Sequence, residues 1–410
     1  MNAAGRLSLF LVCLMATAAR AENWPRWRGP DGNAVSTATS LPSRWSRTEN
    51  VRWHTEVPGE GSSSPIVWDE RVFITSALDS GKRRVVHCLD RANGKRLWSR
   101  EVADQNPETA SAVTGHAAST PVTDGTHVVA WFANAGLVCY DFAGKLLWRK
   151  QFGEFDLDLG LATSPILHRD RIILVCDHDG DRFTSFDSFL IALDVKTGQE
   201  VWKTSRQGVY RSWSTPVIVS RNDKSELIVN AQEELRGYDA DTGKPLWRLP
   251  GLGQWVAPSP VQAHGLIFVA SGKNGPLAAV KPGGTGEVKP VWRHETGAAY
   301  VCSPLVVGDY LYVHTDAGIL TCYEARTGKA VYKERLEGKF TASAVAGDGK
   351  LYFLNEVGTT LVVRAGPKFE LLAKNALGDY AVASPAIARG QLFLRTERHL
   401  FCIAAAARKP

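Results

Sequence analysis

The densest cluster of possible metal ligands in the chain is Asp177-His178-Asp179-Gly180-Asp181. Carboxylates alternating around a glycine suit calcium, a hard cation bound through oxygen. An EF-hand loop would place its distal carboxylate near position 188, which is Ser188, and the flanking runs are strand-like. Asp177, Asp179 and Asp181 are therefore weak metal candidates in a segment that reads first as a solvated inter-strand loop. A second set of side chains is larger and partly aromatic: His116, Tyr210, Arg211, Trp213, Trp255, Tyr300 and Tyr380. These lie just ahead of members of a recurrent Ser/Thr-Pro series. An arginine and a histidine among stacking aromatics can hold an anionic planar ligand; the same side chains can equally fill a narrow funnel. Arg211 and Trp213 lead the set. Hydrolytic signatures are missing: neither Gly-x-Ser-x-Gly nor His-Glu-x-x-His occurs. His87 and His314 lie in strand patterns and read as structural.

What must position these residues is an internal repeat, the dominant signal in the sequence. Its opening is a hydroxyl residue before a proline: Ser64-Pro65, Thr120-Pro121, Ser164-Pro165, Thr215-Pro216, Ser259-Pro260, Ser303-Pro304 and Ser384-Pro385, with Ser343-Ala344 filling the gap. Its close is an aromatic: Trp53, Trp98, Trp148, Trp202, Trp247 and Trp292, then Tyr332 and a weaker slot near Leu372. Turns such as RANGKRLW, DVKTGQEVW and DADTGKPLW precede many of these aromatics. Asn-Gly or Thr-Gly between apolar runs is a hairpin signal, because glycine tolerates the positive φ such turns require.

Each repeat reads as four short strands; in the sixth they are SPLVV, YLYVHT, ILTCYE and KAVYKERL. Four strands per unit of roughly 40–50 residues fit propeller blades, which bury both sheet faces by radial stacking. The recurrent tryptophans are expected between neighbouring blades, where one indole removes on the order of 200 Å² from water. The last opening supplies only three strands, whereas Trp53 precedes the first opening. The segment around Trp53 is therefore predicted to complete the C-terminal blade, giving an all-β, eight-bladed propeller without an open edge. Seven blades plus a stray hairpin is the alternative, since the seventh repeat lacks both Pro and Trp.

Residues 1–21 resemble a secretory leader: Arg6, an uncharged apolar run, and the small-x-small site Ala19-Arg20-Ala21. The run is short for a membrane span, so the mature chain is expected to carry no transmembrane segment. A retained anchor, or lipidation at Cys13, is the weaker reading. Loss of Arg6 and Arg20 takes the formal charge from +6 to +4; without basic blocks interleaved with aromatics, nucleic acid is a poor partner. Residues 22–50 form a strap containing WPRWRGPDGNAVS, whose Trp24 and Trp27 are expected to clamp it onto the ring. Residues 51–405 form the propeller and 406–410 a tail. Cys88, Cys139, Cys322 and Cys402 occupy equivalent strand positions, too far apart to bridge, and read as buried small hydrophobes.

The openings and the D-x-x-T-G-x-x-x-W endings resemble PQQ-like repeats over residues 51–405. That resemblance implies one of two functions. Quinoprotein dehydrogenases bind pyrroloquinoline quinone and calcium and oxidise alcohols or sugars. The other branch is similar to the outer-membrane assembly factor BamB, a periplasmic scaffold. Alcohol-oxidising members carry a vicinal Cys-Cys pair, absent here, and no Cys-x-x-Cys-His haem site occurs. The expectation is a periplasmic, monomeric, non-catalytic scaffold without cofactor that binds a protein or peptide. A quinone enzyme with calcium is the alternative, and a glycan-binding propeller the second.

Overall fold

In the computed structural model, residues 22–155, 157–178, 187–206, 208–209, 212–221 and 223–405 are described. Residues 1–21, which the sequence suggests are a leader, and Asp179, Asp181, Tyr210 and Arg211 lie outside them. Eight antiparallel sheets follow one another along the chain. We number them as blades I–VIII: residues 66–103, 122–150, 166–205, 217–250, 261–294, 305–335, 345–376 and 386–404. Blade VIII is completed by Val51–Glu56, which pairs antiparallel with His399–Ala404 so that Trp53 faces Cys402. The ring has eight blades, tied shut by its two ends as the phase of the repeats predicts. The only helical element among the described residues is a 3-10 turn, Ala133–Ala135.

Every first strand begins two residues after the opening hydroxyl: Ser64 before Ile66, Thr120 before Val122, and so on to Ser384 before Ala386. These hydroxyls link the blades. The Ser64 amide donates to Thr120 Oγ1, Thr120 to Ser164, Ser164 to Thr215, Thr215 to Ser259, Ser259 to Ser303, Ser303 to Ser343 and Ser343 to Ser384, at 2.8–3.0 Å. A buried amide without a partner is costly, and a short hydroxyl side chain is what reaches across the seam.

The tryptophans sit between blades as expected, and their neighbours explain the rest of the motif. Five of the six indoles pack on the turn glycine of the following blade: Trp53 on Gly94, Trp98 on Gly144, Trp148 on Gly198, Trp202 on Gly243 and Trp292 on Gly328. Those glycines have φ of +69° to +82°, and a methyl on any of them would lie 2.5–2.8 Å from side chains of the preceding blade. The indole Nε1 of Trp53, Trp98, Trp148 and Trp292 donates to a carbonyl of that same turn. Within its own blade each large ring faces a small residue on the third strand: Cys88, Cys139, Ala192, Gly237, Ala279 and Cys402. That pairing, not disulfide formation, places Cys88, Cys139 and Cys402; all six cysteines among the described residues are free and buried.

Apolar packing is distributed over the seams. One cluster joins blades I and II, others II and III, III and IV, IV and V, and V and VI. The largest runs from blade VI through VIII to I and takes in Trp24, Ala34, Leu41 and Trp45 of the strap. The strap crosses the end of the channel where the first strands finish. Trp24 bridges Val67 of blade I, the Thr123 amide donates to the Pro25 carbonyl, and the Gln262 amide donates to Asn33. Arg28 donates to the Pro304 carbonyl at 2.6 Å, and Val35–Ser36 adds a parallel strand to blade VII.

Candidate functional site

Because the strap occupies one end, the connections that precede the openings form the free mouth at the other. The axial cavity between them is about 120 Å³. Trp27 reaches it from the strap, and the opening hydroxyls of Ser64, Thr120, Ser164, Thr215, Ser343 and Ser384 surround it with Ala, Val and Trp213. Among the described residues that line it there is no charged side chain.

The aromatic candidates divide into two groups. Trp213 and Trp255 stack at 5.9 Å with a 12° interplanar angle, and Lys273 Nζ lies 4.0 Å from the Trp255 ring and 5.4 Å from that of Tyr300. Together they make a shelf on the connections into blades IV, V and VI. Trp213 is buried and donates its indole N–H to the Gly160 carbonyl at 3.1 Å. Trp255 is held at φ +64°, a conformation a bulky residue rarely adopts. Gly272 makes room for it, since a methyl there would meet the Trp255 carbonyl. Burial and the neighbouring Asp316 hold the Tyr300 phenol above its ordinary range. His116 and Tyr380 stand elsewhere: His116 on the connection from blade I to blade II, packed on Gly81 of blade I, and Tyr380 on the connection into blade VIII. His116 bonds to Glu60, and Tyr380 lines a second cavity that shares Ser62, Val113 and Thr114 with the axial one.

Asp177 is buried rather than solvated, and its carboxylate accepts from Arg206 at 2.9 Å. Burial outweighs that partner and raises its pKa to about 6. Among the described residues no group of three or more His, Cys, Asp or Glu is arranged to hold a metal. The sequence pattern did not mark the four fully buried arginines, Arg28, Arg84, Arg206 and Arg395. Arg84 pairs with Asp104 and Glu108 and holds the long connection from blade I to blade II; burial keeps the Glu108 pKa raised against that pairing. A usable signal existed for Arg395, which ends the apolar run QLFLR.

A closed ring of eight four-stranded blades with Trp-docked turns defines the chain as a PQQ-like β-propeller. The family model described as outer membrane protein assembly factor BamB matches residues 34–114, 82–334 and 187–406, and the chain belongs to that family. Among individual proteins, it is similar to outer membrane protein assembly factor BamB of Shewanella oneidensis, 24% identical over 61% of this chain and 64% of that protein. It is also similar to a 1-butanol dehydrogenase (quinone) of Thauera butanivorans, 24% identical over 69% of this chain and 46% of that protein. The chain thus spans less than two thirds of either relative. Solved structures share the fold. BamB from Moraxella catarrhalis has a TM-score of 0.63 at 11% identity, covering 87% of this chain and 98% of that one. A europium-containing methanol dehydrogenase has 0.73 at 10% identity, covering 94% and 98%.

Proposed function

We propose that this protein is an exported, non-catalytic scaffold of the cell envelope that presents its open mouth to a protein or peptide partner. The observation that carries this reading is the contrast between the two ends of the channel. One end is crossed by the strap, and the axial cavity there is about 120 Å³ and uncharged among its described lining residues. Pyrroloquinoline quinone is a planar tricarboxylic acid that comes with calcium. Cofactor pockets run to roughly 300 Å³ or more and offer placed polar groups, and calcium needs several oxygen ligands. The described lining residues do not fit that group. The other end offers the half-exposed Trp255 and Tyr300 with exposed Lys273, the aromatic and cationic types enriched where partners dock. The leader-like residues 1–21 support export, and the assembly-factor relatives support an envelope role.

The test has two arms. Titration with pyrroloquinoline quinone and calcium, followed by dye-linked oxidation of butanol, is expected to give neither saturable binding nor turnover. Photo-cross-linkers at positions 255 and 273 are expected to capture a defined envelope partner, whereas one at position 309, on the strap face, is not. Tight stoichiometric quinone binding, or equal capture from position 309, would sink the proposal. A glycan stacked on the Trp255–Tyr300 shelf is the second reading, favoured by those exposed ring faces; oligosaccharide quenching of tryptophan fluorescence, lost in Trp255→Ala, would select it.

A further inference from the structure

We infer that the seam between blades VIII and I, beside the axial cavity, holds a binding site for a carboxylate carried on an apolar body. Its anchor is Arg395 on the second strand of blade VIII, 1% exposed. Nη1 donates to the carbonyl and hydroxyl of Ser63 at 2.9 and 2.7 Å. Nε and Nη2 are buried without a partner among the described residues.

Orphaned donors also occur on Arg28, Arg84 and Arg206; Arg395 differs in having no acid against it among the described residues while lining a cavity. Arg84 has two carboxylates and Arg206 has one, while Arg28 donates to the carbonyls of Gly32, Asn33 and Pro304. Among the described residues Arg395 has no acid paired with it, and burial by itself lowers its pKa to about 9. An uncompensated buried charge is expensive, and an anion placed on its free donors removes that cost.

A cavity of about 230 Å³ lies beside this guanidinium. Gly61 lines it and keeps the approach open, since a methyl there would sit 2.9 Å from Nη2. Val113, Tyr380, Val382 and Ala383 make much of the remaining wall apolar. Glu60 and Glu397 also line the cavity. Their negative charge disfavours a polyanion such as phosphate and leaves a single carboxylate as the better match. The apolar wall asks for an apolar body behind it. Entry falls to the rim, where Val113 is exposed on the connection from blade I to blade II.

Calorimetric titration of the full chain tests the site with phenylacetate, inorganic phosphate, and the peptide Gly-Ala-Ala-Val in free-acid and amidated forms. Phenylacetate and the free-acid peptide are expected to bind saturably, at least tenfold more tightly than phosphate or the amide. Tighter binding of the peptide identifies a chain terminus as the source, and the reverse a free organic acid. Arg395→Met is expected to abolish binding. Val113→Trp crowds the rim without altering the arginine, is expected to weaken binding tenfold or more, and decides the matter should Arg395→Met fail to fold. Absence of binding by both carboxylates, equal affinity for phosphate, or unchanged affinity in Val113→Trp overturns the inference. Partner capture from positions 255 and 273 is a separate readout, so this site and the docking mouth can fail independently.

Discussion

Trp53→Ala measures how much of the ring's stability resides in its closure. The residue is 8% exposed, packs on Gly94 of blade I, and donates its indole N–H to the Arg91 carbonyl at 2.8 Å. Burying a ring of this size removes on the order of 200 Å² from water, about 5 kcal/mol at 25 cal/mol per Å². The hydrogen bond adds about 1 kcal/mol net. Alanine keeps a small part of this and the seam relaxes, so the expected loss is about 4 kcal/mol, within the range for tryptophan truncation. An unfolding entropy of about 0.8 kcal/mol per K for a chain of this length converts that to a Tm decrease of about 5 °C. Urea and thermal unfolding give the magnitude, with Trp98→Ala as the comparison, since Trp98 makes the same contacts with Gly144 and Phe142 at an internal seam. Similar losses are expected from both, with faster proteolysis of the Val51–Glu56 strand only in Trp53→Ala. A loss below about 1 kcal/mol, typical of a surface substitution, or identical proteolysis of the two variants, refutes closure by the indole.

Gly144→Ala should cost about 1–2 kcal/mol from its φ of +82° alone, and more from the Trp98 ring 2.8 Å away. Combined with Trp98→Ala, which removes that clash, the two losses should fall short of additive in urea unfolding. Ser303→Ala leaves the buried Ser259 amide without its acceptor and should lower stability by about 1–3 kcal/mol, read from the same curves. Acid should weaken the fold through two buried histidines. Burial, aided by Arg96 and Arg395, lowers His87 to about 3, and burial lowers His314 to about 4 despite its bond to the Ala342 carbonyl. The unfolded chain takes up these protons near pH 6.5 and the folded chain does not, so stability falls below that pH and levels off near the folded values. The slope is about 1.4 kcal/mol per pH unit for each histidine. Asp177, raised to about 6 from 3.8, acts in the opposite direction between those values. The comparison of His314→Phe with the parent between pH 7 and 4 therefore carries the test, and the variant should show the shallower decline.

The sequence by itself determined the strands, the eightfold count and the closure by Trp53. These depend on local pattern: apolar alternation, Gly-containing turns and the phase between the opening hydroxyls and the closing aromatics. It also placed the tryptophans between blades, because a ring that large needs two sheets to cover it. What it left open depends on contacts between residues far apart in the chain. The opening hydroxyls stood out as punctuation, but only the radial arrangement makes Ser303 the acceptor for the Ser259 amide 44 residues away. The cysteines looked like interchangeable core residues; cross-strand register shows Cys88, Cys139 and Cys402 as the small partners of a tryptophan. Seven side chains were grouped as one funnel because each precedes an opening. Among the described ones, the fold gathers Trp213, Trp255 and Tyr300 on a shelf with Lys273, sends His116 to the hairpin of blade I and places Tyr380 beside the closing seam. Arg395 carried a faint signal as a charge at the end of an apolar strand. That it lies buried without a counter-charge beside a cavity depends on blade VIII meeting blade I, a contact between the two ends of the ring that only tertiary structure sets.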